Sequence, residues 1–250
     1  MQRGEYMNFE IIQNDITNMI VSAIVLPANE KLKEGSGASK AIFEKAGRKL
    51  LTQACKELGS CKTGEAVPTL AYHLHAEYII HTVVPKWIDG EHQEYEFLSA
   101  AYLSALNIAD VLGCTSIAFP LLSSGNNGFD LNLAFEIAKS SIESFEGINL
   151  KKIFLVVYGD TIATFIKGKG YSVVNLQNVP QIDREKEDKK TKVQQLKKDS
   201  KQIVQKALEQ QLEKAIEYLK DENNLKKIIQ TGFFIASQVL QITKKPRKPK

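Results

Sequence analysis

Leu121-Leu-Ser-Ser-Gly-Asn-Asn-Gly-Phe-Asp130 decides how this chain is read. It follows a strand-like run, Ser116-Ile-Ala-Phe-Pro120, and precedes a helix-like one from Leu131 to Phe145. A turn of that composition can aim consecutive backbone N–H groups at an anion. Gly125 and Gly128 let the main chain approach closely, Ser123 and Ser124 offer hydroxyls, and pyrophosphate is the natural ligand. Taken alone, an ordinary strand-to-helix loop explains the segment better.

A second turn of the same kind changes that balance. The apolar run Ile20-Val-Ser-Ala-Ile-Val-Leu26 leads into a Pro27-Ala28-Asn29 turn, then Lys33-Glu-Gly35-Ser36-Gly37-Ala38-Ser39 and a helical pattern from Lys40 to Leu58. Two strand–glycine-loop–helix units in one chain can converge at the carboxyl ends of their strands, where open sheets place ligands. Neither loop is a Gly-x-Gly-x-x-Gly with an acidic residue about 20 positions on, nor a Gly-x4-Gly-Lys-Ser/Thr, which argues against a Rossmann cofactor or a P-loop. No cofactor is expected.

The coarse order is strand (8–13), short helix from Ile16, strand (23–26), one helix (39–58), strands (66–70 and 78–83), helix (95–112), strand (116–119), helix (131–145), strand (152–157), helix (161–167) and strand (172–174). Such alternation predicts a sheet covered on both faces by helices, with mostly parallel pairing.

Several blocks now become recognisable in order: Asn14-Asp15-Ile16-Thr17, Pro27-Ala28-Asn29, Gly35-Ser36-Gly37, Thr63-Gly64-Glu65-Ala66, Tyr78-Ile-Ile-His81-Thr82-Val83-Val84-Pro85, and Ile117-Ala-Phe-Pro120 with Ser123-Ser124-Gly125. Together they resemble the macro domain, the ADP-ribose-binding family, in its bacterial-type form. The resemblance runs from about Phe9 to Val174. The Ser124-Gly-Asn-Asn-Gly-Phe129 loop and Pro85-Lys86-Trp87 are also similar to the macro domain of a histone variant, a branch closer to binders than to enzymes. The implied fold is a three-layer α/β/α macro domain with a mixed, mostly parallel sheet, here carrying a C-terminal helical extension.

The resemblance implies a site. Asp15, beside Ile16, would accept a hydrogen bond from the adenine amino group; its plain role is capping the helix that starts at Ile16. Tyr158 would stack on adenine, though a buried core tyrosine is nearly as good a reading. Backbone amides of Gly35, Ser36 and Gly37 and of Ser123, Ser124, Gly125, Asn126, Asn127 and Gly128 would hold the diphosphate. Phe129 would pack on the distal ribose, which the Asn29 carboxamide would reach.

Catalysis is where the chain departs from the family's hydrolases, whose glycine loop continues into Val-Asp-Gly-Ala-Ile. Here Ala38-Ser39-Lys40-Ala41-Ile42 places Ser39 at the Asp position, and a neutral serine is no ordinary general base. Asn29 and Ser39 are the candidate catalytic positions, with the substrate's own phosphate orienting water, and Lys40 is the alternative. Three classes of function stand: hydrolysis of ADP-ribosyl-protein or O-acetyl-ADP-ribose, a non-catalytic ADP-ribose reader, and binding of another nucleotide or polyanion such as RNA.

Other chemistry is weakly signalled. His73 and His75 lack metal-ligand partners, His81 sits in an apolar strand as a core histidine would, and Cys61 has no indicated base; no metal is assigned. Three cysteines, Cys55, Cys61 and Cys114, form no Cys-x-x-Cys pair, and an odd number argues against a disulfide framework, so a reducing, cytoplasmic home is expected. Met1 to Met7 is polar and lacks a leader pattern, and no apolar run reaches the roughly 20 residues of a membrane span.

Charge divides the chain. Residues 1–180 hold 15 Lys and Arg against 19 Asp and Glu, whereas residues 181–250 hold 18 against 10. The expected organisation is a macro domain at 1–178, a charged linker at 179–192, an amphipathic helical extension at 193–243 marked by Leu196, Ile203, Leu208, Leu212, Ile216 and Leu219, and a basic tip at 244–250. Such a tail can self-associate or attract nucleic acid or anionic lipid; a solubilising tip is the plain alternative.

Overall fold

The computed structural model describes residues 9–176; the linker, helical extension and basic tip expected at 179–250 lie outside them. The elements are β1 (Phe9–Gln13), a 3-10 turn (Ile16–Asn18), β2 (Ala23–Ala28), α1 (Ala38–Ala46), α2 (Arg48–Leu58), β3 (Ala66–Leu70), β4 (Tyr78–Val83), α3 (Glu94–Val111), β5 (Ser116–Pro120), α4 (Leu131–Glu143), β6 (Lys152–Val157), α5 (Asp160–Gly168) and β7 (Val174–Asn175). One seven-stranded sheet runs in the order β3-β4-β2-β5-β6-β1-β7. Every pairing is parallel except β3 with β4, as the alternation of strands and helices predicts.

Strand β2 shows why the sheet lies between two helical layers. Its alternate side chains must point to opposite faces. Ala23 and Val25 join the cluster built with Leu98, Tyr102, Phe135 and Ile166 of α3, α4 and α5. Ile24 and Leu26 join that of Ile42, Phe43, Leu51 and Cys55 from α1 and α2. A strand buried on both faces reads as a continuous apolar run rather than an alternating one, which is what Ala23-Ile-Val-Leu26 is.

Two expectations are corrected. The single helix expected over 39–58 is two, because Gly47 turns to φ 100 between α1 and α2, in the left-handed region that a side-chain-bearing residue enters only with strain. A Cβ there would also stand 3.0 Å from Nδ1 of His73. Pro27 and Ala28, read as a turn, continue β2 in register with Thr82 and Val83; Pro27 lies beyond the two β2 residues in register with β5, where the strand has a neighbour on one side only and behaves as an edge.

His81 behaves as a core histidine. It is fully buried, with Nε2 2.9 Å from Oγ1 of Thr69 and Nδ1 3.9 Å from Sγ of Cys55. Burial pushes the imidazole down to about 3, so it is neutral in the fold, whereas an unfolded chain's histidine titrates near ~6.5. A depressed native value means that its stabilising contribution is complete above ~6.5 and is lost as pH falls from there towards the native value. His81→Gln, which keeps a partner for Thr69, should reduce the loss of unfolding free energy between pH 6.5 and 5 by up to about 1.4 kcal/mol per pH unit. Urea midpoints across that range check it; parallel slopes for variant and parent would assign the linked proton elsewhere.

Candidate functional site

The two glycine loops leave β2 and β5, which pair in parallel with Ala23 opposite Ile117 and Ile24 opposite Ala118. Both loops therefore rise from the same edge of the sheet. A direct bond joins them: Nδ2 of Asn126 donates to Oγ of Ser36 over 2.8 Å. Gly35–Gly37 and Ser123–Gly128 thus face each other as the two walls of one crevice.

Each wall is braced from behind. In the first, Asn29 grips the Lys33 backbone twice, donating from Nδ2 to its carbonyl (2.7 Å) and accepting its N–H at Oδ1 (3.1 Å). Leu32, at φ 51, turns its side chain into the core, where it is 1% exposed. Arg48, at the start of α2, donates to both carboxylate oxygens of Glu34, from Nε over 2.7 Å and from Nη2 over 3.0 Å. Ser39 is buried, and its Oγ accepts the Gly35 N–H at 3.1 Å. The hydroxyl at the hydrolases' Asp position is therefore a clamp on the loop, while Lys40 beside it is exposed.

In the second wall, Ser123 takes φ 61 and donates from Oγ to the Pro85 carbonyl (3.2 Å), and Ser124 donates to the Leu121 carbonyl (2.8 Å). Both hydroxyls are engaged, and so is the Gly128 N–H expected to hold the diphosphate, so an anion here would be met by the loop's other backbone N–H groups. The Gly128 N–H donates to the Gly125 carbonyl at 3.0 Å, and the Asp130 carboxylate caps α4 by accepting the Leu133 N–H at 3.1 Å. A Cβ added at Gly125 would meet nothing within 4 Å.

One end of the crevice is formed by β1 and β6. Gln13 is in register with Val157, and the Asn14 N–H donates to the Val157 carbonyl at 3.1 Å, which brings Asp15 and Tyr158 to adjacent strand ends. Asp15 uses Oδ1 to accept both the Thr17 N–H (2.9 Å) and the Thr17 hydroxyl (2.7 Å). Oδ2 keeps its lone pairs, so capping and an outward hydrogen bond coexist on one carboxylate. Ile16 next to it is buried. Tyr158 is 73% exposed, which removes the core-tyrosine reading and leaves its ring free to stack.

The other end is aromatic. Phe129 is buried and meets the Trp87 indole edge-on, with ring centroids 5.2 Å apart. Trp87 in turn meets Tyr95 at 5.5 Å, and its backbone N–H donates to the Asn127 carbonyl at 2.8 Å. Sequence reasoning gave Trp87 no role and passed over Glu94. An acidic residue in the first turn of α3, four positions after Gly90, was the available signal.

The remaining candidates do not reach the crevice chemistry. Burial, helped by Glu65 and Glu30, pushes the Cys61 thiol up to about 12, which removes the thiolate that a nucleophile needs. Among the described residues one cluster has metal-ligand composition, Asp89, His92 and Glu94. Its members are already bound to one another and to the loop: Oδ1 of Asp89 meets the His92 ring and the Glu91 N–H, and Glu94 accepts four backbone N–H groups.

Two glycine loops at the carboxyl edge of a sheet, with an acidic acceptor and an exposed aromatic ring at one end, form the kind of crevice in which open α/β sheets bind nucleotides, although the Gly35 N–H, expected at the diphosphate, is bonded to Ser39 instead. Comparison with known proteins agrees. The macro domain family model matches residues 25–138. The chain is 45% identical over 139 residues to an O-acetyl-ADP-ribose deacetylase of Escherichia fergusonii, covering 54% of this chain and 78% of that protein. It is likewise 45% identical over 143 residues to a macro domain-containing protein of Listeria monocytogenes, covering 56% of this chain and 81% of the other. A solved mutant of the Oceanobacillus iheyensis macrodomain with ADPR superposes with a TM-score of 0.60 at 30% identity, over 65% of this chain and 93% of that one. The chain belongs to the macro domain family.

Proposed function

We propose that this macro domain binds ADP-ribose, free or as the ADP-ribosyl group of a macromolecule, across the crevice between Gly35–Gly37 and Ser123–Gly128. The observation that carries the reading is the Asn126–Ser36 bond of 2.8 Å, which brings the two glycine loops face to face at one edge of the sheet. Adenine lies at Asp15 and Tyr158, and the distal ribose lies towards Asn29 and Phe129. The relative named as an O-acetyl-ADP-ribose deacetylase and the neighbour carrying ADPR support the same ligand. Calorimetry with ADP-ribose tests it; absence of heat, with the protein folded, would overturn it. The three free cysteines, all buried, support a cytoplasmic location, and among the described residues no helix is long and apolar enough to cross a membrane.

Binding is the primary activity and hydrolysis the secondary one. Ser39 is 3% exposed with its oxygen on the Gly35 N–H, so it neither holds nor polarises a water as a carboxylate does. What catalysis exists runs through placement of the ribose by the loop amides and by the second N–H and lone pair that Asn29 keeps beyond its two bonds to Lys33, with the substrate's phosphate orienting water. Turnover of mono-ADP-ribosylated aspartate or glutamate should then be slow, and Ser39→Asp should raise it with little change in affinity. Asn29→Ala should lower turnover roughly ten- to hundredfold, the scale of one lost hydrogen bond to a charged or polarised partner. A product assay that also includes O-acetyl-ADP-ribose reads both. Fast turnover that survives Asn29→Ala would move the chemistry to Lys40, and binding with no turnover would make the domain a reader.

A further inference from the structure

Glu94 is the least expected buried group in the domain. It is 2% exposed at the start of α3, and its carboxylate is the hub of the loop that precedes the helix. Oε1 accepts the N–H groups of Ile88 (3.0 Å), Asp89 (3.2 Å) and Gly90 (3.1 Å), and Oε2 accepts that of His92 (2.6 Å). Four charge-assisted bonds on one side chain fix the course of five residues.

That loop wraps the Trp87 indole. Gly90, at φ 93, lies so close that a Cβ there would stand 3.0 Å from Cη2 of Trp87 and 3.2 Å from the Tyr95 ring. The indole is held between Tyr95 and Phe129, and the Trp87 backbone N–H donates to the Asn127 carbonyl. The far half of the anion loop, Asn127 to Phe129, thus leans on Trp87. The near half is tied separately, by Ser123 to Pro85 and by Ser124 to Leu121.

We propose that Glu94 is a positioning residue for the distal-ribose end of the crevice: by bracketing the 88–92 loop around Trp87 it seats Phe129 and so sets the preference for ADP-ribose over nucleotides that lack the second ribose. The proposal rests on the ADP-ribose reading above. Glu94 touches no ligand in this account and acts through Trp87. Its influence is confined to one end of the slot, because α3 packs on β3 and β4, whereas Asp15 and Tyr158 follow β1 and β6 towards the other side of the sheet.

The test uses the full chain and two probes, ADP-ribose and AMP, with calorimetry and the emission of Trp87, the single tryptophan. Glu94→Gln keeps the size of the side chain but puts an NH2 group against an N–H donor, and Glu94→Ala removes the hub. The parent should prefer ADP-ribose to AMP and change its Trp87 emission with ADP-ribose only. In either folded variant that preference should fall at least tenfold through weaker ADP-ribose binding, AMP affinity should hold within about twofold, and the free protein's emission should shift to the red. An unchanged ratio and unchanged emission would overturn the proposal, as would equal loss for both probes or failure of both variants to fold, which would leave Glu94 purely structural. A parent that binds neither probe would instead overturn the ADP-ribose reading.

Discussion

Gly125→Glu should abolish ADP-ribose binding while leaving the protein folded. The two halves of that expectation have separate physical grounds. A Cβ at Gly125 meets nothing within 4 Å, and this glycine is not among those with positive φ, so the substitution costs little in packing or backbone strain. The carboxylate, however, enters the crevice proposed for the diphosphate. Two like charges about 5 Å apart at an effective dielectric of about 20 repel by roughly 3 kcal/mol, and the ligand carries two. A loss of more than about hundredfold is expected by calorimetry, with the melting temperature within a degree or two of the parent. Gly125→Ala should bind nearly as the parent does. A Glu variant that melts and binds normally would place the anion site elsewhere.

Asp15→Asn should weaken ADP-ribose binding by about 1.5–3 kcal/mol, the usual size of a hydrogen bond to a charged acceptor, without destabilising the fold. The carboxylate does two jobs with two atoms: Oδ1 caps the Ile16–Asn18 turn through Thr17, and Oδ2 is left to meet the adenine amino group. Asparagine retains the cap but turns an NH2 donor towards that amino group. Asp15→Ala should lose both, adding about 0.5–2 kcal/mol of instability from the missing cap. Affinity and melting temperature measured for the pair separate the roles. If Asp15→Asn binds like the parent, adenine is read by another group.

The order of strands and helices was legible because β2, β4 and β5 are buried on both faces and show it as unbroken apolar runs, and because the glycine loops fall where those runs stop. The break at Gly47 was not legible: a lone glycine inside a helical pattern is usually tolerated, and only its approach to His73, from a distant loop, requires the left-handed turn. Within the site, the composition of the two loops was readable, but not that Asn126 and Ser36 would join them across 90 positions. Nor could sequence separate an exposed Tyr158 from a buried one, since the residue follows a core strand in either case. Ser39 illustrates the opposite limit. Its identity suggested weak catalysis, while its burial and its bond to Gly35 show a structural role that the sequence did not. Glu94 was invisible because its partners are backbone amides, which carry no side-chain signature.

The placement of β1 has a consequence for how the protein is born. Residues 9–13 do not pair with the strands that follow them but slot between β6 and β7, some 140 positions later. Such sequence-distant pairing must wait for the intervening chain and slows assembly. On a ribosome, where chains emerge amino end first, the opening strand is left without a neighbour until residues 152–157 have been made. The Asp15–Tyr158 corner therefore cannot exist on any shorter nascent chain. A chain cut short before Tyr158 lacks one end of the proposed crevice, whatever its two glycine loops have already formed.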